Sequence, residues 1–173
     1  MILYYTYKQK TKIFAQALGE VLSLPTEELT SDLNQHTGFA FLWRALKLTF
    51  TGKSHPVSNM PQHLPDQIYV CSPIWGGKMA APVKYFLENA NLQNVKVNLL
   101  LTASIPTLKY RENALKFLRN LPCIPGVALI FATTEKVKPE QEVLAEQLRD
   151  ILKTNSEAIS GSVAEMDSGI EDE

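Results

Sequence analysis

The stretch that decides the fold is Ile68–Leu87, IYVCSPIWGGKMAAPVKYFL. Ile68, Tyr69, Val70 and Cys71 form a continuous apolar run of β-formers, the pattern of a strand covered on both faces. Ser72-Pro73 is expected to stop that strand, because proline has no N–H for the ladder. Trp75-Gly76-Gly77 reads as a flexible corner carrying one large aromatic. Beyond it Ala80, Val83, Phe86 and Leu87 fall at helical spacing, with Pro82 acceptable only in the first turn. A buried strand thus meets a helix through a loop that presents an indole and two unencumbered peptides. In an open α/β sheet, ligands bind at that end of a strand.

Outward from this stretch the same grammar recurs. Ile2-Leu3-Tyr4-Tyr5 is a short apolar strand, plausible as the first and central one. Thr11–Leu22 reads as a helix with Ile13, Phe14, Ala17, Leu18, Val21 and Leu22 in one stripe. Between them Thr6-Tyr7-Lys8-Gln9-Lys10-Thr11 feeds the helix N-terminus, where free amides and the helix dipole favour an anion. Thr6 and Thr11 can donate hydroxyl hydrogen bonds, and Lys8, Lys10 and Lys12 add charge. The alternative is a solvated basic turn with no ligand. On the C-terminal side, Val95–Leu101 is a strand ending in Thr102-Ala103-Ser104. A helix is expected from Thr107 to Leu121, with Leu108, Leu115 and Leu118 on one face. Val127–Ala132 is the next strand. Pro139 opens a last helix, with Glu140 and Glu142 in its first turn and Val143, Leu144, Leu148, Ile151 and Leu152 as its stripe. Strands alternating with helices imply a parallel sheet with right-handed crossovers.

The run Ser72-Pro73-Ile74-Trp75-Gly76-Gly77, followed by Met79-Ala80-Ala81-Pro82-Val83 and Phe86-Leu87, resembles the second flavin loop and following helix of the flavodoxin-like family. Element order extends the resemblance over about Ile2 to Leu152. It implies an α/β, three-layer, doubly wound sheet of five parallel strands in the order 2-1-3-4-5, with an FMN site. In that arrangement Thr6, Lys8, Gln9, Lys10 and Thr11 would take the FMN phosphate. Pro73, Ile74, Trp75, Gly76 and Gly77, with Thr102, Ala103 and Ser104, would grip the isoalloxazine. Trp75 would stack on the ring, Gly76 or Gly77 would let a peptide reorient toward N5, and Thr102 and Ser104 would bond the polar edge. The phosphate loop departs from the family: Lys8 and Gln9 stand where a Thr-Gly pair is usual, and without glycine a left-handed backbone costs more. Either lysine charge compensates or the site is lost. The third loop also lacks the glycine often found in relatives, and Ile105-Pro106 stiffens it. Tyr110 reads as a helix-surface tyrosine.

Residues 23–67 are the least regular. Glu27-Glu28-Leu29, after Pro25, suggests a poor edge strand. From Gly38 to Phe50, Phe39, Leu42, Trp43, Leu46 and Phe50 follow helical spacing, while Phe41, Ala45 and Leu48 occupy the other faces. A helix apolar all round needs cover on more than one side. Either the proline-rich loop Thr51–Gln67 folds over it, or a second subunit does, making a homodimer through residues 38–50. Three apparent motifs dissolve. Gly52-Lys53-Ser54 lacks the upstream glycine of a nucleotide loop, having Lys47 there. His36, His55 and His63 have no metal-ligand spacing. Ser58-Asn59-Met60 is no glycosylation sequon.

At 173 residues the chain is one domain's worth. Residues 1–153 hold all 17 Lys and Arg against 12 Asp and Glu, a net +5, whereas residues 154–173 hold six acids and no Lys or Arg. The division expected is a domain over 1–153 and an acidic, disordered tail over 154–173, inert or visiting the basic loop Lys8–Lys12. Cys71 and Cys123 make no disulfide framework. With neither an apolar leader nor a run of membrane-spanning length, a cytoplasmic, reduced protein is expected. No acid–base or nucleophile–base pair is evident, so a bound flavin would carry the chemistry. The expected function is an FMN-binding electron carrier or small flavin reductase, served by a redox partner protein or NAD(P)H, with no nucleic-acid or membrane partner. The competing expectation is a flavodoxin-like fold that has lost FMN and acts as a non-catalytic binding module.

Overall fold

The computed structural model describes residues 1–35, 38–133 and 148–150. Its strands are β1 (Ile2–Tyr4), β2 (Thr26–Glu28), β3 (Gln67–Trp75), β4 (Lys78–Met79), β5 (Lys96–Ala103) and β6 (Ile124–Ala132). The helices are α1 (Lys10–Leu22), α2 (Gly38–Thr51), α3 (Ala81–Asn89) and α4 (Leu108–Leu118), with a 3₁₀ turn over Asp32–Gln35. Five strands pair in parallel in the order β2-β1-β3-β5-β6, and the two-residue β4 pairs antiparallel to β3. With that appendage set aside, this is the 2-1-3-4-5 order of a doubly wound sheet.

Alternation builds the layers, since successive side chains on a strand point to opposite faces. In β1 and the residue after it, Leu3 and Tyr5 join the core shared with Val83, Phe86 and Leu87 of α3 and Ala114 and Leu118 of α4. Ile2 and Tyr4 join the opposite core, with Phe14, Ala17 and Leu18 of α1 and with Leu148. Leu99 and Leu101 against Leu100 repeat the division in β5. Of the expected last helix, Leu148 is a buried core residue; Val143, Leu144, Ile151 and Leu152 lie outside the described residues, as do His36 and the tail 154–173.

Several boundaries differ from the sequence expectation. Pro73 does not end β3: it still pairs in register with Thr102, and the strand continues to Trp75. Proline's missing donor falls on the rung where β3 leaves β5, and its carbonyl accepts the Ala80 N–H at 3.1 Å. Strand β5 likewise runs through Thr102 and Ala103, leaving only Ser104 in the loop. Strand β6 begins three residues early, at Ile124, and tolerates Pro125 because it is an outer strand of the described sheet. Its entry is pinned by buried Asn98, whose Oδ1 accepts the Val127 N–H at 3.1 Å and would meet any side chain at Gly126. Helix α4 is shorter than expected, and Leu108 in its first turn is exposed while Ala114 and Leu118 are buried.

Helix α2 resolves the question of its faces. Phe41 and Ala45 are buried against Leu33, with Leu48, Tyr7 and Trp75 packed alongside. Phe39, Trp43, Leu46 and Phe50 form the exposed stripe, with Phe39 and Phe50 each 78% exposed. The Thr51–Gln67 loop does not cover it. That loop sends Val57, Met60 and Leu64 into the main core instead. The residues expected at a subunit interface, Phe41, Ala45 and Leu48, therefore face the protein's own interior. The helix turned this way because the aromatic rings of Tyr7 and Trp75 supply cover on that side.

Candidate functional site

Because β1, β3 and β5 are parallel, the segments following them open on one edge of the sheet, and β1 beside β3 is where the strand order reverses. Residues 5–9 leave β1 and enter α1 with Gln9 as N-cap, at φ 59° and ψ −4°. The left-handed conformation associated with glycine is thus adopted here by glutamine. No side chain among the described residues caps α1, so the amides of its first turn have no side-chain acceptor there. Asn34 steadies the loop: its Nδ2 donates to the Thr6 carbonyl at 3.3 Å, and its Oδ1 accepts the Tyr5 hydroxyl at 2.7 Å.

The expected phosphate residues divide into three kinds. Thr6 is 2% exposed, and its hydroxyl has no hydrogen-bond partner among the described residues. A buried, unpaired hydroxyl costs about 1–3 kcal/mol, which an acceptor reaching this edge would offset. Thr11 is equally buried, but its Oγ1 lies 2.9 Å from Thr102 Oγ1. One hydroxyl of that pair donates to the other, which leaves one proton over. Lys10 reaches across the edge to donate from Nζ to the Thr133 carbonyl at 3.3 Å. Lys8 and Gln9 have exposed side chains.

At the second loop, Gly76 (φ 51°) and Gly77 (φ 83°) form the two-residue turn of the β3–β4 hairpin, flanked by the pair Trp75 and Lys78. Two successive positive φ values make the tight turn that matches strand twist. A Cβ on Gly76 would sit 2.9 Å from Thr49 Cγ2, and one on Gly77 would sit 3.2 Å from Tyr110 Cε1. The turn is therefore wedged between α2 and α4, and partly buried Tyr110 packs on it rather than standing on an open helix surface. Alanine at either glycine is expected to destabilise the chain by about 1–2 kcal/mol through the left-handed backbone alone. Urea unfolding checks this, and an unchanged midpoint would mean that the turn is not held in this conformation.

Ser72 braces the hairpin, accepting the Ala80 N–H at 3.1 Å and donating to the Pro73 carbonyl at 3.0 Å. Trp75 has more core to enter than its glycine neighbours suggest. It meets Tyr5 edge-on at 5.7 Å and Phe41 at 5.3 Å, while Tyr7 stacks on Phe41 at 3.3 Å. Tyr7, Phe41 and Trp75 make an aromatic wall joining the first loop to the hairpin. Sequence reading missed Asn34, Tyr7 and Phe41 here; only Tyr7, inside the loop, carried a local signal. In the third segment Thr102 and Ala103 are buried and Ser104 is exposed, with the Ala103 carbonyl accepting the Thr133 N–H at 2.7 Å. Cys71, fully buried in β3, has its thiol pushed up by desolvation and is unsuited to act as a thiolate at neutral pH.

No protein-family model matches the chain, and no curated protein matches it. Solved structures do. A candidate flavoprotein from Bacteroides uniformis superposes with a TM-score of 0.70 at 15% identity, covering 86% of this chain and 96% of its own. A flavoprotein in complex with FMN from Lactobacillus acidophilus gives 0.57 at 23% identity, covering 74% and 90%. A flavodoxin, WrbA-like protein from Agrobacterium tumefaciens gives 0.55 at 13% identity, covering 90% and 96%. Together with the strand order, these likenesses establish the flavodoxin-like fold. No helix among the described residues is long and apolar enough to cross a membrane.

Proposed function

We propose that the chain binds FMN at this strand-end edge and works as a flavodoxin-type redox protein, an electron carrier or small flavin-dependent reductase. The observation that carries the reading is the buried Thr6 hydroxyl, without a partner among the described residues, beside an N-terminus of α1 that none of their side chains caps. A phosphate there would accept from that hydroxyl and from the first-turn amides, with Lys8 and Lys10 adding charge. Gln9 already holds the backbone shape of the turn, so the missing glycine is no barrier to the cradle. Residues 73–77 and 102–104 would border the ring, with Trp75 presented by the hairpin and Ser104 open to the polar edge. Bound there, FMN would supply the redox chemistry, while the chain supplies position and solvent access. The FMN complex of the Lactobacillus neighbour supports the choice of flavin.

Yellow colour on purification, with flavin absorbance released on denaturation, tests the proposal; a colourless protein that takes up no added FMN overturns it. Trp75 fluorescence is expected to be quenched by flavin, and Trp75→Ala to weaken binding by about 1 kcal/mol. Trp43, exposed on α2, is the internal control, and equal sensitivity of both tryptophans would count against the hairpin's role.

The second reading, a binding module without FMN, draws on the in-chain engagement of Lys10 and Thr11. The colour test separates the two. We further propose a cytoplasmic protein exchanging electrons with a partner protein or NAD(P)H. It would form a homodimer through the exposed stripe of α2, whose four large apolar side chains are left uncovered by the described residues.

A further inference from the structure

Against the hairpin residues Gly77, Lys78 and Met79 lies a cavity of about 420 Å³. It is walled by the C-terminal end of α2, by β4, by the start of α3 and by one face of α4 from Tyr110 to Phe117. Its volume is in the range that holds small organic ligands, which bind in mostly apolar pockets with a few placed polar groups. Met79, Phe117 and Tyr110 give it apolar and aromatic walls, and Lys53, Lys78 and Lys84 give it three ammonium groups. Among the described residues, no carboxylate lines it. Of the residues assigned above to flavin, only Gly77 borders it.

The lysines are placed by the fold. Lys78 Nζ donates to the Thr49 carbonyl at 2.9 Å, and Lys84 Nζ donates to the Gly52 carbonyl, so both are drawn to the negative end of α2. Lys84 also pairs with Glu88 at 3.5 Å, outside the lining. An ammonium has three donors, so the single contact of Lys78 leaves two. Lys53 makes no hydrogen bond or ion pair with the described residues. We infer that this cavity is a second ligand site, for a small aromatic carboxylate whose ring lies against Phe117 and Tyr110 and whose anion meets the lysines. Lys84 already has Glu88 as its counter-charge, but a neutral molecule of the same shape would leave Lys53 and Lys78 without one among the described residues, so discrimination by charge is the signature of the site.

The test is an NMR titration of the ¹⁵N-labelled full chain, as purified, with biphenyl-4-carboxylate and separately with biphenyl-4-carboxamide. The carboxylate is expected to bind saturably, shifting amides from Gly77 to Lys84 and at Asn113, and the carboxamide to bind about tenfold more weakly or worse. Lys53→Glu, a change at an exposed side chain, is expected to weaken the carboxylate about tenfold and leave the carboxamide unchanged. No saturable shifts, equal affinity for the two probes, or shifts confined to the Phe39–Phe50 stripe would each overturn the inference. The comparison of probes on the unaltered chain stands even if the variant folds poorly, and neither probe needs flavin to bind.

Discussion

FMN is expected to bind more tightly than riboflavin by several kcal/mol, because the two ligands differ only in the phosphate that the α1 loop would hold. Each charge-assisted hydrogen bond is worth about 1.5–3 kcal/mol. Parallel titrations measure the difference, and equal affinities would remove phosphate binding from this loop. Thr6→Val sharpens the test. The hydroxyl has no partner among the described residues, so a structural role there predicts nothing to lose by its removal. Valine keeps the shape and abolishes a buried, unpaired group, so the flavin-free protein is expected to gain about 1 kcal/mol or more. FMN affinity should fall while riboflavin is nearly unaffected. Opposite signs for stability and for FMN affinity are the mark of a group kept for a ligand. Lys10→Ala is also expected to weaken FMN selectively, although part of that lysine's role is its contact with Thr133.

Changes on the two faces of α2 are expected to have opposite consequences. Trp43→Asp or Phe39→Asp places charge on the exposed stripe and should turn a dimer into a monomer without unfolding the sheet. Sedimentation of the unaltered protein should give roughly twice the 19.4 kDa chain mass, as a symmetric pair requires. Ala45→Asp does something else. Ala45 is 5% exposed in a cluster with Leu33 and Phe41, and burying a carboxylate there costs several kcal/mol. That variant should unfold at much lower urea, whatever its oligomeric state. If the unaltered protein sediments as a monomer at high concentration, the stripe is not a self-interface. If Ala45→Asp is as stable as the parent, α2 does not pack as described.

The apolar runs of β1, β3 and β5, the stripe of α1 and the strand-to-helix passage through residues 72–82 were legible in the chain, because burial on a sheet or helix imposes a period that one segment displays alone. The edge position of β2 was legible too, since Pro25 and two glutamates suit an outer strand. By themselves these residues determined an alternating parallel α/β sheet, and the loops that would gather at its edge. Tertiary structure decided what periodicity cannot hold. Helix α2 is apolar on several faces, so its inward side was set by where Tyr7 and Trp75 lie. The end of β3 was set by pairing with β4, which lets a proline remain in the strand. Gln9 takes a left-handed conformation that its own preference opposes, in a loop held by Asn34 from another segment. Thr6, Thr11 and Lys10 look alike as donors in sequence; only the fold gives Thr11 to Thr102 and Lys10 to Thr133 while leaving the Thr6 hydroxyl without a partner among the described residues. A hydroxyl's or an ammonium's chemistry is written in its residue type, but whether it is already satisfied depends on neighbours about 90 to 120 residues away, which no local pattern records.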